Sequence, residues 1–131
     1  MKKRILVIIT MSVFFVSFVN AQKIKIKKNT VYVDGKECLK ISGDSNNVSF
    51  SDMSGNELFF LKFIHNSPYV SLYTKVTFFE EDMSFTSSSY VFTKKLLIKK
   101  LVSDGTLKDC KLISEKLKRF VQKYDENVEM N

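Results

Sequence analysis

The chain has 131 residues, 44% hydrophobic and 27% charged, with 4 Gly and 1 Pro. That composition excludes a disordered, collagen-like or low-complexity polymer and is enough for one domain. The formal charge is +7, and no segment repeats at a period that would build a solenoid.

Met1-Lys2-Lys3-Arg4 is a basic start, and Ile5 to Val19 is an uncharged run of about 15 residues, the upper end of a signal-peptide core. Val19-Asn20-Ala21 places small residues at the −3 and −1 positions of a cleavage site. The pattern predicts a signal peptide over residues 1–21, cleaved after Ala21, and a periplasmic or secreted product. An uncleaved N-terminal anchor is the alternative, although the run falls short of the roughly 20 apolar residues of a spanning helix. No Cys follows the junction, so a lipoprotein has no support. Without residues 1–21 the chain keeps 18 basic against 14 acidic side chains, about +4. Ten basic and three acidic residues fall within 94–124, so the positive charge belongs mainly to the C-terminal third.

Residues 22–131 are expected to form a single small domain. Lys23-Ile24-Lys25-Ile26-Lys27 alternates strictly, as a half-buried strand does, and its Lys face suits a sheet edge. Val31-Tyr32-Val33 and Lys36 to Ile41 flank Asp34-Gly35, a type I′ hairpin turn that sets Val33 against Lys36 and Val31 against Cys38. After the turn-forming 43–47, Val48 to Ser51 is a short strand, and 52–56 turns again. Glu57 to Ile64 is apolar on both faces, which predicts a central strand covered on both sides. His65-Asn66-Ser67-Pro68 ends it, and Tyr69 to Tyr73 and Val76 to Phe79 are the next two strand candidates. Glu80-Glu81-Asp82 reads as a turn, Met83-Ser84-Phe85 as a short strand and Thr86 to Ser89 as loop.

The hydrophobic period then becomes helical. Leu97, Ile98, Leu101 and Val102 share one arc, ended by Ser103-Asp104-Gly105-Thr106. Ile113, Leu117, Phe120, Val121 and Tyr124 form a cleaner stripe, with Ser114 or Asp109 as the candidate start. The acidic segment from Asp125 is expected to fray. Strands followed by helices make an α+β domain: an antiparallel meander of about six or seven strands, then two C-terminal helices.

Cys38 and Cys110 are a candidate disulfide in an oxidising compartment; packing as two free thiols is the alternative. His65 is the only histidine and has no Cys or carboxylate at metal-ligand spacing, so no metal site, catalytic triad or cofactor loop is expected. Glu80, Glu81 and Asp82 are adjacent carboxylates that an acid/base pair or a weak calcium site could use, and a solvated turn explains them as well. Asp44-Ser45-Asn46-Asn47 resembles half of a calcium loop without its later Gly and Glu. The strongest surface signal is Lys94, Lys95, Lys99, Lys100, Lys116, Lys118, Arg119 and Lys123, a candidate anion-binding surface for lipid headgroups, glycan phosphate or an acidic partner. Its plain alternative is a solvated helix face. Five phenylalanines, Phe59, Phe60, Phe63, Phe78 and Phe79, would fill a core or form a docking patch.

The junction Val19-Asn20-Ala21-Gln22, the segment 31–37 and the stretch 120–124 resemble a loose group of short exported proteins of Bacteroidota. The resemblance spans most of residues 22–131 and implies an exported compartment and a strand-then-helix layout. It carries no activity and no site residues. Together these features lead us to expect a non-catalytic periplasmic or secreted binding or structural protein. Its partner would be a protein or an envelope component, an anionic membrane surface among them, and not nucleic acid. A peripheral binder of anionic lipid or glycan phosphate is the alternative, and a small hydrolase built on the acidic trio a distant third.

Overall fold

The computed structural model describes residues 22–89 and 91–130. Residues 1–21, where the sequence predicts a signal peptide, lie outside the described residues. Seven strands run in sequence order across one antiparallel sheet: β1 (Ile24–Lys27), β2 (Thr30–Val33), β3 (Lys36–Gly43), β4 (Asn47–Ser51), β5 (Glu57–His65), β6 (Leu72–Phe78) and β7 (Met83–Ser87). Helix α1 (Lys94–Ser103) follows, then a short hairpin of β8 (Leu107–Lys108) and β9 (Lys111–Leu112), then α2 (Ser114–Tyr124) and a 3₁₀ turn, Val128–Met130. The fold is α+β, a meander of seven strands followed by two helices.

The sheet has one apolar face. Cross-strand pairing sets Phe50 opposite Phe59 and Phe59 opposite Phe78. Their ring centroids lie 4.6 and 5.6 Å apart, and Phe78 lies 6.4 Å from Phe85. Aromatic side chains in register across neighbouring strands stabilise a sheet beyond the area they bury. Leu97, Ile98 and Leu101 of α1 and Leu117, Phe120 and Tyr124 of α2 join the same core. Helix α1 lies nearest β1, and α2 packs on β7.

One face only is buried on β5, which corrects the expectation of cover on both sides. Phe59 and Leu61 are fully buried, whereas Leu58, Phe60 and Ile64 are half-buried and Lys62 is exposed. Both helices follow the last strand of the meander and join the core on one face, so the opposite face keeps its contact with water. Tyr69 to Tyr73 and Val76 to Phe79 merge into the single strand β6, with Tyr69 and Val70 left in an exposed loop and Phe79 past the strand end. Thr86 and Ser87 belong to β7 rather than to a loop.

Asp34 and Gly35 have φ of 52° and 81°, the left-handed values a type I′ turn demands at both central positions. Val33 pairs with Lys36 as the two-residue loop requires. The next expected pair is not made. Tyr32 faces Glu37, and Val31 then faces Leu39, not Cys38. Cys38 is the extra residue of a β-bulge, and Cys38 and Leu39 are both buried although they are adjacent in a strand. A bulge breaks the alternation of side chains and can re-aim one of them. Here it frees Cys38 for a disulfide to Cys110, with the Cα atoms 5.1 Å apart.

Cys110 sits at the tip of the β8–β9 hairpin, where Asp109 and Cys110 have φ of 51° and 63°. These are again type I′ turn positions, but the second holds a Cys where Gly is favoured. The covalent link to β3 holds that unfavourable conformation in place. Asp109 therefore starts no helix. Ser114 is the first helical residue of α2, not its cap; the cap residue is Ile113, whose side chain makes no capping hydrogen bond. In α1, Thr93 caps by accepting from the Leu96 amide.

The acidic C-terminal segment does not fray; it straps the edge of β7. Glu126 donates its amide to the Thr86 carbonyl at 2.8 Å, and Thr86 donates its own to Asp125 Oδ1 at 3.1 Å. Val128 donates to Thr86 Oγ1 at 2.8 Å and is itself buried. An edge strand offers unpaired backbone groups to other molecules, and the strap occupies those of Thr86.

The disulfide closes a loop across a sequence separation of 72. On the chain-entropy account, Cys38→Ser with Cys110→Ser will lower unfolding stability by about 4 kcal/mol in urea titrations. Phe85 lies within 6.4 Å of Phe78 and Tyr124 and closer to Phe92 and Phe120. Phe85→Ala is expected to cost about 4 kcal/mol. Phe79→Ala, at a site 45% exposed, will cost less than about 1 kcal/mol by the same titration.

Candidate functional site

On α2, Lys116, Arg119 and Lys123 follow an i, i+3, i+7 spacing, which puts them on one side of a helix. Opposite them is the segment that leaves α1. Asp104 ends α1, donating its amide to the Lys100 carbonyl at 3.0 Å. Gly105 follows with φ of 74°, and Thr106 turns the chain into the β8–β9 hairpin. Thr106 is buried; its amide reaches the Leu101 carbonyl, and its carbonyl accepts from Ile113. These bonds tie the end of α1 to the start of α2 and leave a cleft of about 600 Å³ between them.

Lys116, Arg119 and Lys123 line this cleft with Asp104, Thr106, Phe120 and Gln122. Gly105 suits the turn through its positive φ, and the flexible end of Lys116 packs close to it. A Cβ there would lie 2.9 Å from the Lys116 ammonium. Lys123 Nζ donates to Asp104 Oδ2 at 3.3 Å, and that carboxylate raises the Lys123 pKa. The other ion pair among the described residues, Lys75 with Glu129, is outside the cleft, so Lys116 and Arg119 have no carboxylate partner there.

Three of the eight basic candidates therefore share a concave surface. Lys94, Lys95 and Lys99 are exposed along α1 and Lys100 is half-buried, all outside the cleft lining. Lys118 is exposed on α2 and also outside it. Asp104, Gln122 and Thr106 are the site residues that sequence reading missed. In the sequence Asp104 marks only the end of a helix, and nothing local marks its contact with Lys123.

Glu80 and Glu81 border a second cleft, of about 520 Å³, beside Glu37, Asp52 and Asp109 and next to the disulfide. Asp82, in the turn with φ of 53°, is not part of it. Ser114 Oγ lies 3.5 Å from Glu81 Oε2, and Glu81 Oε1 is buried without a partner. Among the described residues no three His, Cys, Asp or Glu side chains gather closely enough to hold a metal ion. Asp44 closes its own turn by accepting from the Asn46 and Asn47 amides at 2.9 Å. Those donors pull its pKa down. His65 pairs through Nε2 with Asn46 Oδ1 at 3.0 Å.

The C-terminal strap holds the other polar cluster. Lys62 and Lys75 face each other across β5 and β6, and like charges so placed repel. Glu129 answers this, accepting from Tyr73 Oη at 2.6 Å and from Lys75 Nζ at 3.0 Å. The Tyr73 bond and then Lys75 hold the Glu129 carboxyl below its usual range, while burial opposes them. Burial also works against ionisation of Glu126, but the amides of Ser88 and Ser89 outweigh it and lower that carboxyl too. Tyr73, buried and beside Glu129, is pushed up to about 12.

Compared with protein-family models, with curated proteins and with solved structures, the chain matches none. Among the described residues no helix is long and apolar enough to cross a membrane.

Glu126 and Glu129 have folded pKa values below their unfolded ones, so unfolding takes up protons. The stability they contribute is complete above the unfolded value near 4.5 and is lost as pH falls through the folded values. In urea titrations taken downward from about pH 6, Glu129→Gln will show a shallower loss of stability than the parent chain. Tyr73 has the opposite sign: its contribution is complete below the unfolded value of 10.0 and is lost as pH rises through about 12.

Proposed function

We propose that this chain is a non-catalytic, exported binding protein that docks on an anionic component of the cell envelope through its basic helices. The observation that carries this is the convergence of Lys116, Arg119 and Lys123 on one cleft with a single carboxylate. The Cys38–Cys110 disulfide supports the compartment, because such bonds persist where the surroundings are oxidising. Lys94, Lys95, Lys99 and Lys118 add exposed charge on the same two helices. In the outer compartments the abundant polyanions are lipid headgroups and phosphorylated glycans, and nucleic acid is not the partner. Attraction of this kind concentrates a basic domain at an anionic surface without any covalent chemistry.

Co-sedimentation with vesicles tests the reading. The protein should pellet with phosphatidylglycerol vesicles at low ionic strength and not with phosphatidylcholine vesicles. Binding should fall steeply between about 0.05 and 0.5 M salt, as exposed charges become screened beyond a few ångströms. No pelleting with the anionic vesicles at low salt would dismiss membrane docking.

A further inference from the structure

The cleft on α2 has a chemical character that a general basic surface lacks. Three cations against one carboxylate leave two positive charges in it. A phosphate monoester carries about 1.5 to 2 negative charges near neutral pH, so the two balance. Arg119 offers a planar fork of N–H donors, which fits phosphate oxygens in pairs, and Lys116 adds a point charge. Neither has a carboxylate partner to give up. At about 600 Å³ the cleft is larger than a bare phosphate needs and falls in the range of small-molecule sites.

Asp104 carries the second half of the inference. A carboxylate beside an anion site repels a lone phosphate, but it accepts hydrogen bonds from hydroxyl groups. Its contact with Lys123 holds it at the rim, and its side chain is only 25% exposed. Gln122 adds a further donor and acceptor, and Phe120 an apolar wall. Cations for a phosphate and acceptors for hydroxyl groups, side by side in one cleft, describe a phosphorylated sugar. We infer that the cleft binds a sugar phosphate, with the phosphate on Lys116 and Arg119 and the sugar hydroxyls at Asp104 and Gln122. This deepens the proposed function, since it rests on the same basic helices but assigns them a defined ligand.

Titration calorimetry on the exported form of the whole chain tests it, with four probes: glucose 1-phosphate, inorganic phosphate, glucose, and vesicles containing phosphatidic acid. Glucose 1-phosphate should bind at least about tenfold more tightly than inorganic phosphate, and glucose alone should not bind. Arg119→Gln should weaken glucose 1-phosphate by about tenfold, while Lys118→Gln, which removes the same charge just outside the cleft, should change it less than about twofold. Both side chains are exposed, so circular dichroism should show either variant folded. Asp104→Asn should weaken glucose 1-phosphate and leave inorganic phosphate unchanged or tighter. Equal losses from Arg119→Gln and Lys118→Gln, or equal affinity for the two phosphates, would overturn the inference. Binding of the vesicles with no binding of glucose 1-phosphate would likewise overturn it, assigning the cleft to lipid headgroups. Binding of glucose 1-phosphate without any vesicle binding would uphold the cleft and remove only membrane docking.

Discussion

Phe85 on the last strand of the sheet meets Phe120 and Tyr124 of the final helix, with Phe78 and Phe92 on either side. A meander of consecutive hairpins has one apolar face and cannot bury it against itself unless it closes. Here the sheet stays open, with β1 and β7 unpaired to each other, so the helices must supply the cover. The ring cluster fixes where α2 lies, and that placement sets the wall of the cleft. Phe120 belongs to both: its ring packs on Phe78 and Phe85, and it lines the cleft beside Arg119. The candidate site is thus an outer surface of the helix that completes the core.

At the other end of the helical layer the covalent link does related work. The bulge at Cys38 and the turn at Cys110 both depart from regular backbone, and the departures meet in one bond. That bond ties the hairpin between the helices to β3. The same hairpin sets the spacing between Asp104 and the start of α2, through the Thr106 bonds to Leu101 and Ile113. A domain of this size buries only about two-thirds of its unfolded surface, so a link of this kind is a substantial part of a modest stability.

Charge is arranged to match. The acidic C-terminal segment satisfies the edge of β7, and its Glu129 sits by the two lysines that face each other on the open side of the sheet. With that segment folded back, its carboxylates act on β6, β7 and the residues just after β7, and take no part in the cleft on α2, where Asp104 alone opposes three cations.

Local pattern determined much of this chain. Alternation marked the strands, Asp34-Gly35 marked the first tight hairpin, and the stripe through Leu117, Phe120 and Tyr124 marked α2, because each is a property of neighbouring residues that backbone geometry repeats. Strands before helices then implied the layers. Only tertiary structure decided the rest. The bulge at Cys38 is bonded to Cys110, 72 residues further along the chain, which no local pattern marks. Asp109-Cys110 forms a turn without the Gly that would signal one. The acidic segment reads as a frayed tail until β7 and Lys75 are placed beside it. The cleft was half legible: its cations follow a helical spacing, but Asp104, Gly105 and Thr106 face them only after the hairpin has folded. Spacing along a chain encodes which side of an element a residue occupies, whereas what lies opposite that side is set by contacts between segments far apart in sequence.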